Sequence, residues 1–450
     1  MSIIKPRTLS GFLELLPDEQ VYFNAMIQKL REVYSLFGFT ALDTPLMDAA
    51  ETLLAKGGGE TTKQAYLLQK GDAKLALRFE LTASLAKYVA LNYSKLTFPF
   101  RRFEIGKVYR GERAQRGRFR EFYQADIDII GDGSLDVLNE VEIPAIIYNC
   151  FIRLGLSRFK IHINNRKILS GLFDIFDINA DMAPDVMRAI DKVSKIGRDK
   201  LFGIFVDELN LSKSQADEII DFVLFDGNPL DLLNKYVGKS ELFDTGVNEL
   251  KPIAEHMRGF GVPDSHFKID FSIARGLDYY TGTVYETFLT DFPEVGSICS
   301  GGRYDNLAEF YIDRKLPGVG ISIGLSRLFY ILNEQGLLRK DVLTAPCDVL
   351  IIPMTDDFSH AIKLATDMRL SGLRTQIYFE NKKVKAKITY ADKLNIPYVV
   401  FLGEDEISKG VITVRDMKSG EQIVASGGIL TAGLCDKIKS LNVDTPIEQP

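Results

Sequence analysis

Residues 100–131 constrain the fold of this chain more than any other stretch, and they read FRRFEIGKVYRGERAQRGRFREFYQADIDIIG. The segment predicts two antiparallel strands joined by a long basic loop. Because side chains of a strand alternate between two faces, the second strand separates an apolar set from a polar set. The apolar set is Tyr123, Ala125, Ile127 and Ile129, and the polar set is Gln124, Asp126 and Asp128. One face of this hairpin is therefore expected to lie on a core, while the other carries polar groups.

The hairpin also carries cations that a purely structural sheet does not need. Arg110 shares the parity of Glu104 and Val108, so it leaves the first strand as a fixed guanidinium that could contact a phosphate. The loop that follows adds Arg113, Arg116, Arg118 and Arg120. A solvent-facing antiparallel sheet also alternates polar and apolar residues, so the hairpin alone leaves both interpretations open.

Length and composition set the class of the protein. At 450 residues the chain is too long for one hydrophobic core, so two or three domains are expected. Hydrophobic residues make up 46% and charged residues 26% of the chain, as in ordinary globular proteins. Because the formal net charge is -6, a nucleic-acid partner must be bound by local basic patches.

The cysteines, the histidines and the N-terminal sequence give no sign of disulfides, a metal site or a targeting peptide. The cysteines, Cys150, Cys299, Cys347 and Cys435, are far apart with no CxxC pair, and the histidines do not cluster. Neither a disulfide framework nor a metal site is predicted. The sequence MSIIKPRTLSGF resembles neither a signal peptide nor a transit peptide, and no apolar run reaches membrane-spanning length. We therefore expect a cytoplasmic protein that does not enter a membrane.

Periodicity along the chain predicts a mixed α and β domain, a helical insertion and a C-terminal α/β domain. The predicted boundaries are 1–164 and 264–340 for the first domain, 165–263 for the insertion, 341–346 for a linker and 347–450 for the C-terminal domain. Within the first domain a strand is expected over 268–274. The sequence SGGRYD at 300–305 is expected to form a loop with a glycine turn.

Arg327 stands in the first turn of a predicted helix, in the sequence GLSRL. The helix macrodipole disfavours a positive charge there by roughly 0.3–1 kcal/mol. A bound anion would resolve the conflict, because the helix N-terminus and the guanidinium can bind a phosphate together. An exposed arginine whose tip reaches water accounts for the same pattern.

Two further motifs carry polar groups at constrained positions. Arg275 begins RGLDYYTG, where Tyr279 and Tyr280 follow in a turn with two glycines; a structural arginine–aspartate pair with packing tyrosines is the alternative. In RFELT, Glu80 and Thr82 lie on one side of an extended strand, where an amino group could be held. A helix cap is the alternative there.

Five motifs follow one another along the chain: RFELT at 78–82, YRGER with RGRFREFYQADID within 109–128, RGLDYYTG at 275–282, SGGRYD at 300–305 and GVGISIGLSRL at 318–328. This series resembles the histidyl-tRNA synthetase family over nearly the whole chain. Residues 17–45, 100–131 and 318–335 are similar to the three motifs of class II synthetases, which indicate adenylate chemistry. RFELT and RGLDYYTG are the motifs that indicate histidine.

The resemblance implies a fold and a reaction. The fold is an α+β class II catalytic domain, an antiparallel sheet with flanking helices, together with the helical insertion and a C-terminal α/β anticodon-binding domain. The reaction is histidine–tRNA ligation, in which ATP activates histidine to histidyl-adenylate and the 3'-terminal adenosine of tRNA(His) receives it. Mg²⁺ would be held mainly by ATP oxygens and water, and the enzyme would be a homodimer.

The resemblance also assigns roles to residues of the amino-acid pocket. The histidine contacts that it implies are Glu80, Thr82 and Gln124 to the α-amino group, Asp128 and Tyr280 to the imidazole, and Tyr279 and Tyr304 in the pocket wall.

A second set of implied contacts belongs to ATP and tRNA. The implied nucleotide contacts are Arg110 to the α-phosphate, Glu112 to the adenine and Arg327 to the distal phosphates. Arg110 and Arg275 would be catalytic, since both would face the reacting phosphate. Arg113 and Gln115 would approach the acceptor end of the tRNA.

Some positions depart from the family pattern or have two explanations. Phe79 stands where the family often has proline, and Ser326 stands where it usually has glutamate, which leaves the surroundings of Arg327 open. Four lysines near the C-terminus either contact tRNA phosphates or form an ordinary solvated helix face. They are Lys382, Lys383, Lys385 and Lys387.

Two other functions agree with parts of the sequence. One is a regulatory paralogue that keeps the fold and binds histidine without charging tRNA, and the other is a class II synthetase for another amino acid. The retained Arg110, Arg275 and Arg327 and the complete C-terminal domain favour the enzyme over the first. The sequence RGLDYYTG favours histidine over the second.

Overall fold

The structure is a computed structural model that describes residues 3–55, 59–274, 279–306, 308–338, 342 and 344–426. The chain divides into two compact units. The first comprises Met1–Glu14 and Met26–Leu337, and the second comprises Leu15–Ala25 and Leu338–Pro450. Arg275 and its neighbours 276–278, residues 341 and 343 of the predicted linker, and Cys435 lie outside the described residues.

The helices and strands of the first part of the chain, up to the insertion, are α1 (Pro17–Leu36), β1 (Thr40–Ala41), β2 (Met47–Ala49), α2 (Ala50–Leu53), α3 (Gly59–Gln64), β3 (Leu67–Lys70), β4 (Ala73–Leu77), α4 (Leu81–Asn92), β5 (Phe100–Tyr109), β6 (Glu121–Ile130), α5 (Leu138–Arg153) and β7 (Phe159–Asn165). The insertion contains α6 (Arg166–Ile175), α7 (Ala183–Ile190), α8 (Val193–Gly203), α9 (Lys213–Val223), α10 (Pro229–Asn234) and α11 (Glu241–His256). After it come β8 (Phe267–Ile269), β9 (Thr283–Leu289), β10 (Cys299–Tyr304), β11 (Gly318–Gly324) and α12 (Leu325–Glu334).

An eight-stranded sheet organises the first unit, with the strand order β1-β5-β6-β11-β10-β9-β7-β8. Adjacent strands of this sheet are antiparallel, except that the outer pairs β1–β5 and β7–β8 are parallel. The predicted hairpin is β5 and β6, paired from Phe100 with Ile130 to Tyr109 with Glu121. Strand β11 lies between β6 and β10, so residues distant in sequence meet at the centre of the sheet.

The apolar face of β6 is covered by helices. Ala125, Ile127 and Ile129 are fully buried, as is Ile146 on α5. The Tyr34 hydroxyl of α1 donates to the Ala125 carbonyl at 3.3 Å. Burial of these side chains removes apolar surface from water and fixes which face of the sheet is internal. The polar face of β6 is consequently directed to the other side.

The insertion is helical in the residues described between β7 and β8, as the sequence predicts. Helices α6 and α11 cross closely because glycines lie at their contact. A Cβ at Gly171 would overlap the backbone of Phe243, and a Cβ at Gly246 would overlap the backbone of Ile168. These two positions therefore require residues without side chains.

Three strand predictions are wrong in detail. Glu80 and Thr82 do not share an extended strand, because β4 ends at Leu77 and α4 begins at Leu81. The strand expected over 268–274 ends at Ile269, because Asp270 accepts hydrogen bonds from the Ser272 amide and hydroxyl and forms a local turn. The sequence SGGRYD, expected as a loop, lies mostly within strand β10. Its glycines let neighbouring strands approach, since a Cβ at Gly301 would overlap the Gly320 carbonyl.

The second unit contains β12 (Val349–Pro353), α13 (Ser359–Leu370), β13 (Thr375–Ile377), α14 (Val384–Lys393), β14 (Tyr398–Leu402), α15 (Glu404–Lys409), β15 (Val411–Asp416) and β16 (Gln422–Ser426). The five-stranded sheet has the order β13-β12-β14-β15-β16. Strand β12 is parallel to both neighbours, and the remaining pairs are antiparallel. Ile351 packs in one core cluster and Leu350 in another, so both faces of the sheet are covered.

The structure of the second unit excludes one of the four lysines that were candidates for contact with tRNA phosphates. Lys387 is buried, its ammonium donates to the Pro353 carbonyl at 3.2 Å, and it lies 5.6 Å from the Tyr378 ring centroid. A buried, bonded ammonium cannot contact a tRNA phosphate, so Lys387 is excluded from that role. Lys382, Lys383 and Lys385 are exposed.

Candidate active site

A cavity of about 890 Å³ opens on the polar face of the eight-stranded sheet. Gln124, Asp126 and Asp128 of β6 line it, together with Gly320 and Ser322 of β11. The register places Asp126 opposite Ser322 and Asp128 opposite Gly320. A Cβ at position 320 would overlap the carboxylate of Asp128, so the glycine provides the space in which that carboxylate lies.

Asp128 is fixed by two partners. Its Oδ1 accepts a hydrogen bond from the Tyr304 hydroxyl at 2.7 Å, and its Oδ2 lies 2.6 Å from the Arg102 guanidinium. Burial raises the pKa of Asp128 to about 6, while Arg102 and Tyr304 oppose the rise. The carboxyl group is therefore mainly ionised at neutral pH and is held in one orientation.

Arg102 is a site residue that the sequence analysis missed. It is fully buried on β5, directly opposite Asp128 in the hairpin register, and it lies 3.7 Å from Glu104. Burial lowers the pKa of Arg102. The carboxylates of Asp128 and Glu104 act in the opposite direction, and the pKa of Arg102 is raised overall. The available signal was parity, because Arg102 shares a strand face with Glu104 and would meet Asp128 once the hairpin is paired.

Glu80 lies at the start of α4, where its side chain makes no capping hydrogen bond. Instead it accepts a hydrogen bond from the Tyr279 hydroxyl at 3.3 Å. Burial raises the pKa of Glu80 to about 7, and Arg110 and Tyr279 oppose the rise. Tyr279 also hydrogen-bonds Thr82. The capping explanation of RFELT is thus wrong for Glu80, whose carboxyl group faces the cavity.

Three tyrosines form one wall of the cavity. The ring centroids of Tyr279 and Tyr280 are 5.0 Å apart, and those of Tyr279 and Tyr304 are 5.9 Å apart, in edge-to-face contacts. Gly302 of β10 makes room for Tyr280, because a Cβ there would lie 3.1 Å from the ring. Burial raises the pKa of all three phenols well above the usual range, so they act as neutral hydrogen-bonding groups.

Two arginines line the other end of the cavity. The Arg110 guanidinium lies 4.4 Å from the Phe79 ring centroid and 5.3 Å from that of Phe122, and its Nε donates to the Phe79 carbonyl at 3.3 Å. The departure to phenylalanine at position 79 thus gives Arg110 a cation–π partner.

Arg327 is held in place by main-chain acceptors. It donates to the Ser297 carbonyl at 3.1 Å and to the Val295 carbonyl. Burial, reinforced by Arg118, lowers its pKa. Because these bonds direct the side chain into the cavity wall, the alternative of a tip free in water is wrong. Ser326, the second departure, accepts a hydrogen bond from the Tyr123 amide at 2.9 Å and ties α12 to β6.

The loop after β5 is only partly in the cavity. Glu112 and Gln115 line it, whereas Arg113 is exposed and does not. Arg116 also lines the cavity and forms an ion pair with Glu334 at 2.7 Å. The structure therefore brings together every predicted site residue among the described ones except Arg113, while Arg275 lies outside them.

Several lining residues had no assigned role in the sequence. Asp126 lies in the middle of the polar row of β6, and Ser194 and Lys195 reach the cavity from α8 of the insertion. The position of Asp126 was readable from strand parity. Ser194 and Lys195 carry no local signal, because only the folded insertion brings them there.

One cavity with a carboxylate-lined end and an arginine-lined end lies on a largely antiparallel sheet, and an α/β unit follows in the chain. These features are those of a class II aminoacyl-tRNA synthetase. A histidyl-tRNA synthetase family model matches residues 11–328, and an anticodon-binding domain model matches residues 348–430. The chain belongs to the histidyl-tRNA synthetase family.

Individual histidine–tRNA ligases are similar to this chain over most of its length. The histidine–tRNA ligase of Clostridium tetani is 49% identical, covering 93% of this chain and 96% of its own length, and that of Finegoldia magna is 44% identical over 93% and 97%. A crystal structure of histidyl-tRNA synthetase from Nostoc sp. PCC 7120 has a TM-score of 0.87 and 38% identity, covering 97% of this chain and all of that one. A Bacillus halodurans structure described as an ATP phosphoribosyltransferase regulatory subunit/histidyl-tRNA synthetase has 22% identity and shares the fold.

Proposed function

We propose that the chain catalyses histidine–tRNA ligation in the cavity on the polar face of the eight-stranded sheet. One observation carries the proposal: a carboxylate-rich pocket around Glu80 and Asp128 and a cationic end around Arg110 and Arg327 share one cavity. An amino acid and a nucleotide placed end to end would meet between these two regions. Family membership selects histidine as the amino acid and ATP as the nucleotide.

Histidine would occupy the carboxylate-rich end. Glu80, Thr82 and Gln124 would hold its α-amino group, and Asp128 and Tyr280 its imidazole, with Tyr279 and Tyr304 as the wall. An ammonium beside Glu80 would favour the ionised carboxylate and lower its pKa from about 7. Binding of the amino group and ionisation of Glu80 would therefore support each other.

ATP would occupy the arginine-lined end. Arg110 would contact the α-phosphate, Glu112 the adenine and Arg327 the distal phosphates. The histidine carboxylate attacks the α-phosphorus and pyrophosphate leaves; a ribose hydroxyl of the terminal adenosine of tRNA then attacks the carbonyl carbon and AMP leaves. Arg110 and Arg275 would stabilise charge that develops on the phosphoryl oxygens without reorganising.

Mg²⁺ would enter with ATP and neutralise its phosphates. Among the described residues, no group of three or more histidine, cysteine or acidic side chains could hold a metal ion.

Contacts with tRNA would come from two regions. Arg113 and Gln115 would approach the acceptor end, and the exposed Lys382, Lys383 and Lys385 would contact phosphates of the anticodon arm.

The proposed domain boundaries remain 1–164 with 264–340 for the catalytic domain, 165–263 for the insertion, 341–346 for the linker and 347–450 for the anticodon-binding domain. Since tRNA is charged where proteins are made, we propose a cytoplasmic location, which cell fractionation tests. None of the helices in the described parts of the chain has the length and apolar character of a membrane span.

We also propose a homodimer. Residues 17–45 resemble the dimer-forming motif of the class, and large apolar side chains in and after this segment are exposed. They are Leu36, Leu46, Met47, Leu67 and Leu68, with exposed fractions from 44% to 85%. Exposed large apolar side chains are typical of an interface when they form one patch. Sedimentation equilibrium tests the proposal, and a monomer at micromolar concentration contradicts it.

The reaction is tested by ATP–pyrophosphate exchange with each of the twenty amino acids. We expect exchange with histidine alone, followed by charging of tRNA(His). Exchange with another amino acid would indicate a different class II synthetase. Histidine binding without exchange would indicate a regulatory protein.

A further inference from the structure

Asp126 lies in the cavity without a role in the assignment above. It is 2% exposed and occupies the middle of the polar face of β6, between Gln124 and Asp128. Residues two apart on one strand face are separated by about 6.8 Å. A five-membered ring with a hydrogen bond of about 2.8 Å at each side spans a distance of this size.

The hydrogen-bonding capacity of Asp126 is only partly used. Ser322 hydrogen-bonds its carboxyl group and also accepts from the Gln124 amide at 2.6 Å. The Oδ1 atom of Asp126 has no hydrogen-bond partner among the described residues. Asp128 differs, because Tyr304 donates to its Oδ1 and the Arg102 guanidinium forms an ion pair with its Oδ2 at 2.6 Å, although that Oδ2 also has no hydrogen-bond partner among the described residues. Asp126 therefore presents the carboxyl oxygen that a ligand can still engage.

The two carboxyl groups also differ in protonation. Burial raises the pKa of Asp126 to about 8, and Arg102 and Ser322 only partly oppose the rise. Glu80 and Asp128 raise it further, and Glu104 lies opposite it on β5. The other titratable groups that interact with it, Tyr34, Tyr280 and Cys299, stay neutral because burial raises their pKa. The pKa of Asp126 is thus raised more than that of Asp128, so Asp126 is the carboxyl group that keeps its proton more readily.

Neutral imidazole has one N–H donor and one bare nitrogen acceptor. We propose that Asp126, rather than Tyr280, donates the hydrogen bond to the bare ring nitrogen of histidine and thereby determines specificity, while Asp128 accepts one from the ring N–H and Tyr280 contacts the ring without bonding that nitrogen. This inference rests on the proposed placement of histidine. A complementary donor and acceptor select a ring with both functions, because a ligand lacking either leaves a buried polar group unpaired.

Two classes of analogue separate the two contacts. A thiazolylalanine keeps a bare ring nitrogen but has no N–H, and a pyrrolylalanine keeps an N–H but has no bare nitrogen. Both positional isomers of each are compared with histidine by pyrophosphate exchange, as ratios of kcat/KM. For Asp126→Ala we expect the preference for histidine over pyrrolylalanine to fall by about tenfold or more, while the preference over thiazolylalanine is retained. Asp128→Ala should show the opposite pattern, because it removes the acceptor for the ring N–H. Equal preferences in Asp126→Ala and wild type overturn the inference.

Asp126→Asn keeps the shape and a donor, so it should restore most of the lost preference over pyrrolylalanine. It also supplies a test that does not depend on the folding of Asp126→Ala. In the wild type, the KM for histidine should rise as the pH passes about 8 and Asp126 loses its proton. Asp126→Asn should lack this rise, and the histidine α-amino group titrates equally in both proteins. An identical alkaline rise in both also overturns the inference. Exchange by the wild type without a preference for histidine would instead refute the proposed function.

Discussion

At the scale of single residues, the site depends on a buried cation. Arg102 is fully buried and serves the two acidic groups Asp128 and Glu104. Removing one partner of a buried ion pair leaves the other charge uncompensated. The guanidinium therefore sets both the position and the ionisation of Asp128.

Replacing Arg102 by methionine should impair both stability and histidine binding. We expect the free energy of unfolding to fall by about 3–5 kcal/mol, measured by urea titration. The pKa of Asp128 should rise above about 6, because burial would then act with less opposition, so the KM for histidine at pH 7 should increase.

The control is Arg101→Met, on the same strand but the opposite face. Arg101 pairs with Glu142, and both side chains are partly exposed. Because this change also removes a hydrogen bond to the Phe37 carbonyl and the contact with the Phe39 ring, we expect some loss of stability, smaller than for Arg102→Met, and an unchanged KM for histidine. Equal effects of the two substitutions would contradict a special role for Arg102.

Arg275→Ala tests the second proposed catalytic cation. A cation directed at developing charge acts chiefly in the transition state, so the kcat of histidine-dependent exchange should fall by about 10²–10³. Histidine binding, measured by calorimetry, should change little. Near-normal exchange by a folded Arg275→Ala protein would remove Arg275 from the mechanism.

Whether a residue of the candidate site could be predicted depended on the kind of sequence signal that marks it. Gln124 and Asp128 were found because strand parity and a family motif coincide on β6. Arg102 carries the same parity on β5 but resembles a basic flank until the hairpin register is known. Lys387 shows the reverse error, since an apparently solvated lysine is bonded within the fold.

At the scale of elements, β11 shapes the cavity through residues that lack side chains. Gly320 lies opposite Asp128 in the sheet, and a Cβ there would overlap both the Asp128 carboxylate and the Ile127 carbonyl. Overlap with main chain is relieved only by a shift of the strand. The strand therefore tolerates no larger residue at this position.

Gly320→Ala should lower the free energy of unfolding by about 1–3 kcal/mol and raise the KM for histidine by displacing Asp128. The matched control is Gly203→Ala in α8, where the backbone is helical and the nearest atom to a new Cβ is at 3.7 Å. That change should be neutral or stabilise by up to about 1 kcal/mol. Chemical denaturation and exchange kinetics measure both, and a neutral Gly320→Ala would contradict the close approach.

Strand prediction succeeded where composition alternates and failed where it does not. The hairpin β5–β6 was recognisable from its period of two. Strand β10 was not, because glycine has a low β-propensity and its pairing with β9 and β11 is decided by residues far away in sequence. Strand β8 ended early since Asp270 makes local hydrogen bonds that compete with a ladder.

At the scale of the whole molecule, the proposed division of labour predicts two separable activities. A chain ending at Thr344 should still perform histidine-dependent exchange but charge tRNA(His) poorly, because it lacks the anticodon-binding domain. The full chain with Lys382→Ala, Lys383→Ala and Lys385→Ala is the milder matched variant. It should retain exchange and raise the KM for tRNA with a reduced salt dependence. Wild-type tRNA charging by the truncated chain would refute an anticodon-binding role.

The strand order of the eight-stranded sheet could not be predicted from the periodicity of the sequence. Nothing local indicates that β11 lies between β6 and β10, and it was the family resemblance that supplied the class of fold. The general arrangement of a mixed domain, a helical insertion and an α/β domain was readable, because long segments change their period. Long-range pairing was not, since it depends on contacts among distant segments.

The placement of the site on one face of β6 makes substrate recognition a consequence of strand registration. A slip of β6 by one residue would exchange its two faces, sending Asp126 and Asp128 towards the helices and Ile127 towards the cavity. The same alternation that excludes misregistered pairing therefore also excludes folded molecules with a defective pocket. A chain whose sheet has formed in the correct register has thereby also placed the polar side chains of β6 in the cavity.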